Sequence, residues 1–96
     1  MSIWVTLEMK VKSGQIESLI PFLEANLQNV RGFKGALNVS LYYDEKTRNF
    51  LIYEEWQSQK AHQGYIKFIT DNGVMNKLMS FMETAPTVNY YSKLPL

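Results

Sequence analysis

The stretch Asn49-Phe50-Leu51-Ile52-Tyr53-Glu54-Glu55-Trp56-Gln57-Ser58 constrains the fold more than any other part of the chain. Side chains alternate between the two faces of a strand. Phe50, Ile52, Glu54 and Trp56 therefore share one face, and Leu51, Tyr53 and Glu55 the other. The first face is apolar except for one carboxylate beside an indole. An unpaired charge on a buried face is costly, so Glu54 needs either a partner or an opening into a cavity. Function is expected near Glu54 and Trp56. The blander reading places Glu54 at the rim or pairs it with a lysine, with Trp56 as core filler.

The same alternation marks three more strands. In residues 2–12, Ile3, Val5, Leu7, Met9 and Val11 oppose Trp4, Thr6, Glu8, Lys10 and Lys12. In residues 36–43, Leu37, Val39, Leu41 and Tyr43 oppose Asn38, Ser40 and Tyr42. Residues 87–92 read as a last strand after the Thr84-Ala85-Pro86 stop. Asp44-Glu45-Lys46-Thr47-Arg48 is a charged hairpin tip between the second and third strands.

Between strands the period lengthens. Ile16, Ile20, Leu23, Leu27 and Val30 recur at helical spacing, with Leu19 and Phe22 widening the stripe. Ser13-Gly14 is the expected cap of this helix. Pro21 predicts a kink, or a regular helix that begins only at Pro21. Gly32 and Gly35 end it. Ser58 is placed to cap a second helix carrying Ala61, Tyr65, Phe68 and Ile69. Asp71-Asn72-Gly73 breaks that helix, and Val74, Met75, Leu78, Met79, Phe81 and Met82 predict a short apolar helix after it.

The order β-α-β-β-α-β with right-handed crossovers gives an α+β fold. It is a four-stranded antiparallel sheet with helices on one face, the ferredoxin-like arrangement. The opposite sheet face then carries Leu51 and Tyr53, with Trp4 and Tyr42 beside them. A bare apolar face of that kind predicts a homodimer whose sheets pack together.

Composition removes several classes of function. At 96 residues the chain is expected to be one domain, 1–96. The net charge of +1 and only two arginines, Arg31 and Arg48, argue against nucleic acid and against an anionic membrane. No apolar run approaches the roughly 20 residues of a membrane span. The N-terminus lacks the order of a secretion signal, so a cytoplasmic protein is expected. There is no cysteine, which excludes disulfides, thiolate metal sites and a cysteine nucleophile. No metal cluster or bound cofactor is expected: His62 is the single histidine and has no carboxylate three or four residues away. A lone helical histidine is expected at the surface, although it can serve as a base where suitably placed. Tyr65 points either into the space beside Trp56 or into the core. The methionines of residues 74–82 read as adaptable packing that also suits a flat aromatic ligand.

Glu54-Glu55-Trp56-Gln57-Ser58-Gln59-Lys60-Ala61 followed by Tyr65 resembles the signature of the antibiotic biosynthesis monooxygenase-like domains. These belong to the dimeric α+β barrel superfamily. Val11-Lys12-Ser13-Gly14-Gln15, Gly35 and Pro86 fall where that family has similar features. The resemblance implies oxidation of aromatic polyketides or quinols with dioxygen, without metal or flavin. Trp56 and Glu54 match the family's positions, and Tyr65 falls where members have His or Tyr. His62 lies three residues before that position and is not its equivalent. Of the Asn, Trp and His of the haem-degrading branch, only Trp56 is present. Phe68 and Ile69 stand where a Tyr-bearing subset continues with Trp-Arg.

The resulting expectation is a cofactor-independent monooxygenase acting on a small apolar aromatic, quinol or polyketide-like, as a homodimer. Trp56 would wall the pocket, Tyr65 would hydrogen-bond, and Glu54 or His62 would be the base. A buried Glu54 is expected to hold its proton more tightly than a free one, which suits a base. The alternative is a non-catalytic ligand-binding or structural homodimer of the same fold.

Overall fold

The computed structural model describes every residue from Met1 to Leu96. Its elements are β1 (Ile3–Lys10), α1 (Ile16–Arg31), β2 (Ala36–Tyr43), β3 (Asn49–Trp56), α2 (Gln59–Asp71), α3 (Val74–Ser80) and β4 (Thr87–Tyr91). The strands form one antiparallel sheet in the order β2-β3-β1-β4. The ferredoxin-like β-α-β-β-α-β architecture expected from the hydrophobic periods is therefore the observed one.

Alternation decides which face is buried. On β1 and β3 the inward residues Val5, Leu7, Met9, Phe50, Ile52, Glu54 and Trp56 are all buried. Val5 pairs with Glu54 and Leu7 with Ile52, so the two central strands present one continuous inner surface. Leu19 and Val30 from α1, Ile69 from α2 and Leu78 from α3 close over it. No helix is long and apolar enough to cross a membrane.

The departures from expectation are local. On β2 the register shifts between Ala36 and Asn38, so Leu37 is an extra residue in the strand. The bulge breaks the period of two and turns Leu37 outward, where it is half exposed rather than buried. α1 does not wait for Pro21. The Leu19 amide already donates to the Gln15 carbonyl, and the helix runs through the exposed proline. The bond Pro21 cannot make would have gone to the carbonyl of Glu17, an exposed residue within reach of water. The N-cap is Gln15, with no side-chain hydrogen bond, in place of Ser13-Gly14. The stripe is also rotated: Leu19 is buried, whereas Ile20 is nearly half exposed. α3 stops at Ser80, so Phe81 and Met82 lie beyond it, still buried. There Met82 bridges to Val11, and the Lys12 amide donates to the Phe81 carbonyl.

The β3–α2 corner sets the site. Ser58 caps α2 as expected, its hydroxyl accepting from the Ala61 amide at 3.0 Å. Gly35, with φ of +96°, brings the start of β2 against this corner, and its carbonyl accepts from the Gln57 amide at 2.8 Å. A Cβ at Gly35 would sit 2.6 Å from the Ala61 Cβ, so only glycine allows this approach.

Candidate functional site

Trp56 ends β3 and is wholly buried, and Glu54, on the same face, is only 4% exposed. The capped α2 then returns over the sheet. Its inward positions are His62, Tyr65 and Ile69, at the helical spacings of three and four. The crossover thus places His62 and Tyr65 over Glu54 and Trp56. The ring centroids of Tyr65 and His62 each lie 5.5 Å from that of Trp56. Phe33, from the turn after α1, packs edge-on against both Trp56 and Tyr65. All four residues singled out in the sequence are brought together.

His62 is not the surface histidine expected from its isolation in the sequence. It is 1% exposed. Its partners come from other strands, which no spacing along its own helix reveals. Nδ1 lies 2.8 Å from the Tyr90 hydroxyl of β4. Nε2 lies 3.4 Å from Glu54 Oε1, near enough for attraction but without hydrogen-bond alignment. Tyr90 was not a sequence candidate. Its only sequence signal is its place on an inward position of a short aromatic strand, where it pairs with Val5.

Glu54 is held on one side only. Trp56 Nε1 donates to Oε1 at 2.9 Å, and the His62 contact falls on the same oxygen. Oε2 has no protein partner. Nor is it sealed, because His62 Nε2 is the one buried side-chain nitrogen or oxygen without a hydrogen bond. Glu54 and Tyr65 both line a cavity of about 70 Å³ between the sheet and the helices. Leu23 and Leu27 of α1, Ile66 of α2 and Met75 of α3 supply apolar walls. Burial, and secondarily the Glu54 charge, pushes the Tyr65 phenol up to about 12. Tyr90 is raised for the same two reasons. Both phenols therefore keep their protons near neutral pH and are available as donors.

The arrangement offers one carboxylate oxygen able to accept a proton, one neutral phenol able to donate, and an apolar space between them. No three His, Cys, Asp or Glu side chains gather closely enough to share a metal ion.

The sequence matches the family model described as antibiotic biosynthesis monooxygenase over residues 2–67, and the chain belongs to that family. No curated protein matches it. Solved structures share the fold at low identity. A conserved protein of Methanosarcina mazei Go1 is 15% identical, with a TM-score of 0.85 over 98% of this chain and 94% of its own. A Mycobacterium tuberculosis protein is 14% identical, with a TM-score of 0.83 over 100% of this chain and 98% of its own. A structure described as an antibiotic biosynthesis monooxygenase is 18% identical, with a TM-score of 0.84 over 97% of this chain and 99% of its own. At these identities the likeness speaks for the fold alone. The matched family region ends before Tyr90, so that residue's contact with His62 is a feature read from this structure.

Proposed function

We propose that the chain is a monooxygenase of its family's kind, acting on a small apolar aromatic with an acidic O–H or C–H, such as a quinol or a polyketide-like ring. The observation that carries this reading is the unclaimed Oε2 of buried Glu54, a residue that lines an apolar cavity together with Tyr65. Glu54 takes the proton from the substrate. The neutral Tyr65 phenol hydrogen-bonds the oxygen on which negative charge develops; Trp56, expected from the sequence as a wall, does not line the cavity and instead holds Glu54 through its indole N–H. The apolar walls keep water from quenching the carbanion. The substrate itself supplies the electrons to dioxygen. At a ring methylene, one oxygen atom becomes the carbonyl and the other leaves as water with the two hydrogens. No bound metal or flavin is required by this route.

The cavity is small for such a ligand. An apolar cavity of roughly 150 Å³ holds benzene, against about 70 Å³ here. Binding therefore requires α1 to part from α2 and α3, and the flexible Met75 suits a wall that must re-pack. Function as a homodimer is part of the proposal. It is supported by the outer sheet face, where Tyr42, Tyr53 and Tyr91 are exposed beside the half-buried Trp4 and Leu51. We place the protein in the cytoplasm as a single domain.

Oxygen uptake with a panel of quinols and anthrones tests the chemistry. The wild type is expected to exceed buffer, and Glu54→Gln to lose about a hundredfold or more of that rate. A wild type no faster than buffer, combined with saturable quenching of tryptophan fluorescence by the same compounds, would favour a non-catalytic ligand-binding dimer.

A further inference from the structure

Tyr90 stands on the edge strand β4, partly exposed, yet its hydroxyl reaches a fully buried imidazole. The two nitrogens of that ring face unlike neighbours. Nε2 faces Glu54 Oε1 at 3.4 Å, and Nδ1 faces Tyr90 Oη at 2.8 Å. A neutral imidazole carries one donor and one acceptor, and the partner of each nitrogen decides where the proton sits. An ionised carboxylate only accepts, so it favours N–H at Nε2. Nδ1 must then accept, and the Tyr90 hydroxyl is the donor within reach. The groups facing His62 are Glu54 and Trp56 from β3 and Tyr90 from β4, with Tyr65 following on its own helix. None supplies a competing donor to Nδ1. The raised affinity of Tyr90 for its proton keeps that donor in place.

We infer that Tyr90 is a positioning residue: its hydroxyl fixes the His62 tautomer, so that the ring keeps its N–H at Nε2, on the side of Glu54 Oε1, while Trp56 Nε1 binds that oxygen and Oε2 is left as the proton acceptor. The inference rests on the proposed role of Glu54 as base. The indole N–H holds the carboxylate, and a neighbouring Nε2–H adds favourable charge beside the same oxygen without occupying the other one. A wrong tautomer would turn the Nε2 lone pair toward Oε1, repel the charge and swing the carboxylate away. This is the orienting logic by which a third group fixes the working form of a histidine, applied here to a histidine that itself orients a carboxylate.

His62 is the only histidine, so its ring nitrogens are assigned without ambiguity in long-range nitrogen–proton NMR spectra of the intact labelled protein. The wild type is expected to show the Nε2–H tautomer, with Nδ1 shifted as a hydrogen-bond acceptor. Tyr90→Phe is expected to remove that shift and populate both tautomers. In oxygen uptake, Tyr90→Phe is expected to lower kcat about tenfold or more with KM little changed, because Tyr90 does not line the cavity. An Nδ1–H tautomer in the wild type would overturn the inference, as would a doubly protonated ring at neutral pH. So would a ring spectrum, or a kcat, unaltered by Tyr90→Phe. The wild-type spectrum needs neither a variant nor a substrate. If the tautomer responds as expected but no compound is oxidised by the wild type, it is the monooxygenase reading that fails, and the Tyr90–His62 pairing stands apart from it.

Discussion

Trp56 Nε1 donates to Glu54 Oε1 at 2.9 Å from two residues further along the same strand face. The pairing is local in sequence, and it accounts for a carboxylate among apolar neighbours on a buried surface. A partner on the same strand costs little conformational entropy, because the extended backbone already sets both side chains side by side. The indole N–H holds one oxygen and leaves the other free. The same contact is thus both a device of stability and the means by which an acceptor stays available in the core.

Trp56→Phe removes this donor and leaves a buried carboxylate oxygen with only the poorly aligned His62 contact. Urea denaturation is expected to show a loss of about 2–4 kcal/mol, from the unpaired oxygen and from the space the smaller ring leaves. In a Glu54→Gln background the same substitution is expected to be milder by about 1 kcal/mol, since no charge is then stranded. Equal losses in the two backgrounds would mean that Trp56 acts by volume alone.

Gly35→Ala tests the corner that seats α2 on the sheet. The position combines φ of +96° with a 2.6 Å approach to the Ala61 Cβ. Ala61 is held by the capped first turn of α2, so neither side yields easily. A loss of about 2 kcal/mol or more is expected in thermal or urea unfolding. Gly64→Ala is the contrasting control. It meets nothing within 4 Å and lies inside α2, where alanine is the better helix former, so it is expected to stabilise.

These two corners also show what a sequence can reveal. The Glu54–Trp56 face and the Ser58 cap were legible because strand alternation and capping are local rules that read across a few residues. The burial of His62 is not legible in this way, for the opposite reason. Its partners, Glu54 and Tyr90, stand on two strands, and the distance to each depends on how the crossover lays α2 over the sheet. A better signal was present. His62, Tyr65 and Ile69 continue one helical stripe, and a polar residue on that stripe must find buried partners. Tyr90 gave no comparable sign, because the register of β4 against β1 is fixed only on folding. Leu37 shows the remaining limit: one inserted residue reverses the facing of a side chain, and the periodic pattern carries no mark of it.

The outer sheet face predicts self-association. Tyr42, Tyr53 and Tyr91 are exposed there, with Trp4 opposite Tyr91 and Thr6 opposite Tyr53 across the β1 ladders. Sedimentation at micromolar concentration is expected to give twice the 11.2 kDa chain mass. Tyr53→Lys, in the middle of that face, is expected to shift the equilibrium to monomer by placing an unpaired charge in the interface. A monomeric wild type would remove the dimer from the proposal.

The phenol of Tyr65 supplies the alkaline test. Its affinity for the proton is pushed up to about 12, first by burial and then by the Glu54 charge, while an unfolded tyrosine titrates near 10. Between about 10 and about 12 the folded chain therefore keeps a proton that the unfolded chain has lost. The stability linked to that proton is intact below about 10 and falls as pH rises through about 12. Tyr90 moves in the same direction. Ultraviolet titration is expected to resolve a late step from these two among the six tyrosines, and Tyr65→Phe is expected to remove part of it. Glu54→Gln separates the two causes. It abolishes the carboxylate charge but leaves the burial, so the late step is expected to move only partly back toward the ordinary range. A full return would make the charge the dominant cause. No movement would show that the Glu54 charge does not reach the phenol, and would weaken the case that both groups act on one ligand.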